Sequence, residues 1–372
     1  MKICFYNLTA GFKTGGLETY CWEAGRALAR QGHEVHIIGG EGGKPRHNEV
    51  KLISFPYRPR SHFPNLGTRF RKFCERLSFA RHAAKALKNG NYDAVIVNKP
   101  YDFPVLWWLK RQGFAGVTAL RSGGTEFYTG DRFFAQAVDV WLSTSAYNAE
   151  QVEERYKHPV DIVHNGVDPD IFRPGPADPQ IRERFTIPTG APLIVSTGRL
   201  IGWKGLRIII EALPALSDVH YLVIGNGPDR QKLEQLAMRL SVSERVHFAG
   251  EVAHRDLPDY LRTSTVFVQP SVGEEAFGIS VVEAMACGLP VLASNQGGLR
   301  EIVLDTETGY LLPAGDASAW QQALAQVTGA EQQPRLGAAG HERAERYFTW
   351  SKNAQNLLNA LLQFRTRSGK QA

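Results

Sequence analysis

Leu193-Ile194-Val195-Ser196-Thr197, then Gly198-Arg199-Leu200-Ile201-Gly202-Trp203-Lys204-Gly205, then Leu206-Arg207-Ile208-Ile209-Ile210-Glu211-Ala212-Leu213 is the stretch that sets the fold class. The first five residues are a short apolar run of the kind buried in a parallel sheet. Glycines at 198, 202 and 205 turn the next segment into a loop. Leu206–Leu213 reads as a helix. The same order of strand, loop and helix recurs along almost the whole chain. Candidate strands upstream are Ile3–Leu8, Glu34–Gly39, Val50–Ser54, Asp93–Asn98, Val117–Arg121, Val138–Thr144 and Val160–Val163; Leu17–Arg30 is a helix with Leu17, Tyr20, Cys21, Ala24 and Leu28 on one face. Downstream strands are Tyr221–Gly225, Val246–Phe248, Val266–Gln269 and Val291–Ala293, with helices at Asp229–Leu240 and Ile279–Cys287. Such alternation predicts an α/β protein with parallel sheets and helices on both faces.

The two series are separated by Arg173-Pro174-Gly175-Pro176-Ala177-Asp178-Pro179, with Pro188 and Pro192 beyond. Prolines at this density sustain neither a helix nor a central strand, so the domain boundary is expected here. A length of 372 residues also fits two domains. Each would be doubly wound, and ligands of such sheets bind at the carboxyl ends of the strands. The last helical pattern, Ser351–Phe364, carries Leu357, Leu358, Leu361 and Leu362 and must dock on something; from Arg365 onward a frayed tail is expected.

Composition narrows the class. With 43% apolar and 22% charged residues, disorder, collagen and coiled coil are excluded. No apolar run reaches the roughly 18 residues of a membrane span. Met1–Asn7 passes directly into a strand pattern without the features of a signal peptide. Cys4, Cys21, Cys74 and Cys287 are scattered, which fits reduced thiols of a cytoplasmic protein. The charge is lopsided. Residues 1–175 hold 24 Lys and Arg against 17 Asp and Glu, whereas residues 176–372 hold 19 against 20. A basic first half implies an anionic partner.

Three loops carry candidate chemistry. Arg199 and Lys204 are two permanent cations on one loop, suited to a diphosphate at roughly 1.5–3 kcal/mol per charge-assisted contact, although two solvated charges fit the same residues. In Gly273-Glu274-Glu275-Ala276-Phe277-Gly278-Ile279-Ser280-Val281-Val282-Glu283, one carboxylate precedes a helix and another sits inside it among apolar neighbours. There Glu283 needs a donor, internal or from a ligand hydroxyl. The N–H groups of Phe277, Gly278 and Ile279 form an anion site at the helix start. In the first half, Gly15 and Gly16 precede a helix, so their N–H groups approach a phosphate or sugar, or simply form a tight turn.

Together these motifs resemble the GT-B retaining glycosyltransferases, specifically glycosyltransferase family 4. Gly15-Gly16-Leu17-Glu18 is similar to the family's GGxE loop, and His164-Asn165-Gly166-Val167-Asp168 with Phe172 to its NGVD segment. Gly198-Arg199 through Lys204-Gly205 matches its GRL-x-x-x-KG, and Gly225-Asn226-Gly227-Pro228 its GxGP turn. Glu275 to Glu283 matches E-x7-E, and Gly297-Gly298-Leu299-Arg300-Glu301 matches GG-x-x-E. The resemblance spans nearly the whole chain. It implies two Rossmann-like domains facing a cleft. Residues 1–172 with 350–372 would bind the acceptor, the C-terminal helix crossing back to the first domain. Residues 173–349 would bind the nucleotide sugar.

The resemblance also implies roles. Arg199 and Lys204 would hold the donor pyrophosphate and stabilise its departure without a metal. Glu275 would contact the donor sugar and Glu283 the ribose. Main chain at Phe277, Gly278 and Ile279, with Gly225, would line the donor, and Gly15 and Gly16 would approach the phosphate or acceptor. Lys13, Arg121, Ser122 and Glu126 are the acceptor-side candidates. A histidine common in the family falls at Gly123 in Leu120-Arg121-Ser122-Gly123-Gly124-Thr125-Glu126, so its role would pass to Arg121, Ser122 or a main-chain carbonyl. Asp168-Pro169-Asp170 spells DxD, but in a turn where a helix cap fits better than a metal site. No cofactor or metal is expected.

From Arg58 to Lys88 nine Lys and Arg accompany one acid, Glu75, with Phe63, Phe70, Phe73, Leu77 and Phe79 interleaved. Arg69–Leu87 is expected to be a basic amphipathic helix. It suits an anionic membrane surface, a core-packed helix with flanking cations, or both. Nucleic acid is set aside because no nucleic-acid motif accompanies the patch. The expected function is transfer of a hexosyl unit from a nucleoside-diphosphate sugar to an anionic or lipid-linked acceptor. The setting would be cell-envelope polysaccharide or lipopolysaccharide synthesis, in the cytoplasm and peripherally at the inner face of the plasma membrane. A sugar-nucleotide epimerase and a catalytically weak binding subunit are the alternatives.

Overall fold

A computed structural model describes residues 1–13, 15–328 and 332–369. The chain divides into two compact units, Met1–Asn165 with the segment from Trp350, and Gly166–Thr349.

The first unit holds a seven-stranded, all-parallel sheet in the order β3-β2-β1-β4-β5-β6-β7. Its strands are β1 (Lys2–Tyr6), β2 (Glu34–Gly40), β3 (Lys51–Phe55), β4 (Ala94–Val97), β5 (Val117–Ser122), β6 (Val140–Ser143) and β7 (Asp161–Ile162). The second unit holds six parallel strands in the order β10-β9-β8-β11-β12-β13. These are β8 (Leu193–Thr197), β9 (His220–Ile224), β10 (Val246–Gly250), β11 (Val266–Gln269), β12 (Val291–Ser294) and β13 (Gly309–Leu312). The expected strands are all present. β13 was not among them: its four residues start on a glycine, stop before Pro313 and lie at a sheet edge. In each sheet the strand order reverses once, between β1 and β4 and between β8 and β11. Loops leaving those strand ends are where an open α/β sheet receives ligands.

Two sequence expectations are corrected. The proline-rich segment is not a free linker. Pro179 opens a short helix, Pro179–Arg184, capped by the Asp178 carboxylate, which accepts from Gln180 N at 3.0 Å. Ile181 and Ile187 enter the core of the second unit, and the two compact units divide at Asn165/Gly166. The C-terminal tail does not fray at Arg365: the helix Trp350–Gly369 continues, and Arg365 donates to Asp93 Oδ1 at 2.9 Å. Lys370 to Ala372 lie outside the described residues.

That last helix belongs to the first unit. Ala354, Leu357, Leu358 and Leu361 share one core with Ile3, Phe5 and Tyr20. Each fully buried leucine contributes roughly 1.5–3 kcal/mol relative to exposure. α1 (Gly16–Arg30) lies beside it, with the Tyr20 and Trp350 rings 6.3 Å apart. α2 (Thr68–Asn89) buries Arg76, Phe79, Ala83 and Leu87 as its inward stripe and leaves Phe70 and Leu77 exposed. Among the described residues, no helix is long and apolar enough to cross a membrane.

Candidate functional site

In the second unit, the loops leaving β8 and β11 meet at the point of strand-order reversal. The loop after β8 begins at Gly198, with φ +138°, and lies against Gly225, with φ +126°. A Cβ on Gly225 would stand 1.9 Å from the Gly198 carbonyl oxygen, and one on Gly227 2.3 Å from that of Leu200. The turn Gly225–Pro228 therefore works as a backbone seat for the Gly198–Lys204 loop. Leu200 N donates to Asn226 O at 3.0 Å, and Asp229 N to Leu200 O at 3.1 Å. Leu200 is buried beneath the loop and Arg199 is exposed above it.

Lys204 points the other way. Its ammonium pairs with Glu275 Oε1, and its Nζ lies 4.7 Å from the Trp203 ring centre. Glu275 Oε1 also accepts from Gln269 Nε2 and Ser271 Oγ, each at 3.0 Å. This buried carboxylate is thus held by donors from both loops, in a dielectric where a lone charge would be costly. Gly297 and Gly298 brace it from behind. Gly298 N donates to Glu275 O at 2.8 Å, and a Cβ on Gly297 would meet that same oxygen at 2.3 Å. Arg199, Lys204, Thr197, Gly198 and Gln269 line one shallow recess open to solvent. Cations and hydroxyls gathered this way can hold an anion of diphosphate size.

Gly278, with φ +124°, precedes the helix Ile279–Ala286. The first-turn N–H groups of a helix have no intrahelical acceptor and favour a negative charge. Phe277 itself is core, 5.8 Å from Phe348 ring to ring, so only its main chain is placed for a ligand. Glu283 has an internal donor: His254 Nε2 lies 2.7 Å from its Oε1, and the His254 ring lies 5.0 Å from Phe172. Sequence reasoning called for a donor here and did not find His254. The two residues are 29 positions apart on different elements, and nothing local links them.

In the first unit, the loop after β1 leads into α1. Gly15 is extended, at φ 174°, and a Cβ there would lie 2.7 Å from Glu18 Oε2. Glu18 is buried and accepts from Thr9 Oγ1, which in turn bonds Asn7 Oδ1 at 3.0 Å. Gly15, Gly16 and Lys13 are exposed. The Lys13 carbonyl accepts from Arg46 Nη2 at 2.7 Å, a strap from the β2–β3 loop that the sequence reading missed.

Of the acceptor-side candidates, Arg121 is the one the structure reassigns. It is 1% exposed. Its Nη2 donates to Asn165 Oδ1 and to Val163 O, and its guanidinium lies 3.8 Å over the Tyr20 ring. It ties the end of β5 to the segment that follows β7 and does not face solvent. Ser122 is also buried, donating to Gly124 O at 3.1 Å. A Cβ on Gly123 would stand 2.8 Å from Leu17 Cδ2 and 3.5 Å from Arg121 Nη1. The space a histidine would need there is filled by Leu17 and the arginine. Glu126 is exposed and holds Lys72 and Lys99. The DxD triplet is a local turn, with Asp170 N donating to Asp168 Oδ1 at 3.0 Å.

Comparison with known proteins bears on these two sets of loops. Residues 177–343 match the family described as Glycosyl transferases group 1, and residues 14–171 match Glycosyltransferase Family 4. A D-inositol 3-phosphate glycosyltransferase of Xylanimonas cellulosilytica is 30% identical over 94% of this chain and 92% of its own. A phosphatidyl-myo-inositol mannosyltransferase of Mycobacterium leprae is 36% identical over 42% of each chain. Among solved structures, Anabaena HepE in complex with UDP and glucose superposes with a TM-score of 0.78 at 20% identity, covering 97% of this chain and 99% of that one.

Proposed function

The chain belongs to the GT-B glycosyltransferases of family 4, and from that premise we propose that it transfers a hexosyl unit from a nucleoside-diphosphate sugar, with retention and without a metal, to an acceptor bearing a phosphate-linked polyol. The observation that carries the donor half is the Lys204–Glu275 pair beside exposed Arg199, at the strand-order reversal of the second sheet. Arg199 and Lys204 take the pyrophosphate. Glu275, fixed through Oε1, takes donor-sugar hydroxyls, and Glu283, oriented by His254, takes the ribose. Charge developing on the departing diphosphate meets cations already in place, and preorganisation of that kind is the largest single contribution open to such a site. The acceptor half draws on the relatives, whose names specify an inositol phosphate and a phosphatidylinositol.

Thermal unfolding with UDP, GDP, ADP and CMP, each with and without EDTA, tests the donor site. A ligand at a hundred times its Kd adds about 2.7 kcal/mol, a shift of several degrees. One nucleotide is expected to raise the midpoint equally in both conditions. A shift abolished by EDTA would overturn the metal-free reading, and no shift from any nucleotide would overturn the donor site.

A lipid-linked acceptor in cell-envelope synthesis would place the protein at the inner face of the plasma membrane. The outward face of α2 supports this with exposed Phe70 and Leu77 beside exposed Arg69, Arg81, Lys85 and Lys88. Each basic residue near an anionic surface contributes about 1 kcal/mol. Changing Arg81, Lys85 and Lys88 together to glutamine is therefore expected to release the protein from phosphatidylglycerol vesicles in sedimentation while leaving nucleotide affinity unchanged. Undiminished vesicle binding would refute the membrane face.

A further inference from the structure

We propose that Lys72 and Lys99 form the anion subsite for the acceptor, and that Glu126 fills it in the unliganded protein as an internal stand-in for a phosphate group. This rests on the acceptor reading above and assigns residues to it.

Position is the first argument. Lys99 follows β4 closely, at the reversal of strand order in the first sheet, and Glu126 lies on the irregular loop after β5. Lys72 reaches the same place from α2. Three separate elements thus bring charge to the carboxyl ends of β4 and β5, where ligands of open sheets bind.

Charge is the second. Two ammonium groups share one carboxylate. Lys72 Nζ bonds Glu126 Oε2, and Lys99 Nζ lies 3.2 Å from Oε2 and 3.3 Å from Oε1. The neighbouring pair Arg76–Asp102 is balanced within itself and supplies no spare negative charge. Lys72 also lies 5.2 Å over the Tyr101 ring, which offers only a weak cation–π contact. One positive charge in the group therefore remains uncompensated. The Lys99 side chain is only 16% exposed. Burial lowers its pKa, Arg76 lowers it further, and the pull of Glu126 does not restore it. A phosphomonoester carries close to two negative charges at neutral pH and three acceptor oxygens. It matches two ammonium groups where a single carboxylate does not.

Access is the third. The Glu126 side chain is 43% exposed and its loop has no helical or strand hydrogen bonding to hold it. Rotating it outward vacates the space between the two lysines without disturbing the sheet.

The test uses the full chain. Inorganic phosphate and phenyl phosphate are titrated calorimetrically, and binding is measured to phosphatidylcholine vesicles with and without phosphatidylinositol. Nucleoside diphosphate affinity is followed in parallel. Glu126→Gln removes the competing charge and is expected to tighten binding of the soluble phosphates about fivefold to tenfold. Lys99→Gln and Lys72→Gln are expected to weaken it about tenfold. A response to the soluble phosphates identifies a phosphomonoester acceptor, whereas one confined to phosphatidylinositol vesicles, whose phosphodiester carries a single charge, contradicts the charge match and overturns the proposal. Unchanged or weaker binding in Glu126→Gln makes the triad structural and overturns the proposal. Should that variant fail to fold, Lys99→Gln is compared with Lys51→Gln, an exposed cation at the start of β3: equal losses would indicate general charge attraction and likewise overturn it. Nucleotide binding resides in the other unit and is expected to be the same in all variants. Its absence from the wild type would strike the donor reading alone.

Discussion

Lys204→Ala is expected to lower turnover of the nucleotide sugar by about a hundredfold or more, and to lower the melting temperature as well. Two losses coincide in this substitution. The first, on the proposed donor reading, is a cation that meets the departing diphosphate, a charge-assisted contact of about 1.5–3 kcal/mol in the ground state and more where charge develops. The second is the partner of Glu275, whose carboxylate is buried with Gln269 and Ser271 as its other donors. Removing one member of a buried pair costs about 3–5 kcal/mol when nothing else compensates. Two neutral donors remain here, so about 2 kcal/mol is the expected loss of stability. Arg199→Ala separates the two effects. Arg199 is exposed and makes no side-chain hydrogen bond or ion pair among the described residues, so its loss weakens diphosphate affinity and turnover about tenfold with the melting temperature unchanged. Steady-state kinetics and calorimetric titration of the nucleoside diphosphate check both variants. Wild-type kinetics in Lys204→Ala would remove the donor site from these loops.

The strands were legible because a parallel sheet covered on both faces is made from nearly continuous apolar runs, and Leu193–Thr197 or Val266–Gln269 have no other reading. Glycine-rich turns marked the loops at both strand-order reversals. Charge partners were not legible. Lys204 and Glu275 are 71 positions apart; each was picked out singly, and their neutralising one another in the unliganded site follows only from how β8 and β11 lie side by side. The same holds for Glu283 with His254 and for Glu126 with two lysines. Arg121 shows the converse: the family resemblance implied an acceptor-side role for it, yet it packs on Tyr20 and bonds Asn165 out of solvent. The proline-rich segment misled because proline density marks irregular backbone and does not distinguish a linker from a loop packed on a core. On α2, the core-packed reading holds for the inward stripe Arg76, Phe79, Ala83 and Leu87, while Phe70 and Leu77 face out.

Gly225→Ala is expected to destabilise the second unit by about 3–5 kcal/mol and to cost nucleotide affinity without removing any ligand contact. At φ +126° the backbone is in a region that side chains rarely adopt. The added Cβ would stand 1.9 Å from the Gly198 carbonyl oxygen, and neither atom belongs to a flexible side chain that can swing aside. Gly198 is tied to the sheet, its N–H donating to Ile224 O at 2.9 Å, so the turn and the loop must part by more than an ångström. Arg199 and Lys204 move with the loop. A melting temperature about 10 °C lower is the thermal expression of this loss. Gly190→Ala is the matched control, because Gly190 has φ +84° and nothing within 4 Å of the added carbon. It carries backbone strain alone, about 1 kcal/mol, and should leave nucleotide binding intact. If Gly225→Ala melted within about 2 °C of the wild type, the turn would be able to yield, and the seat it provides for Arg199 would not be what positions that cation.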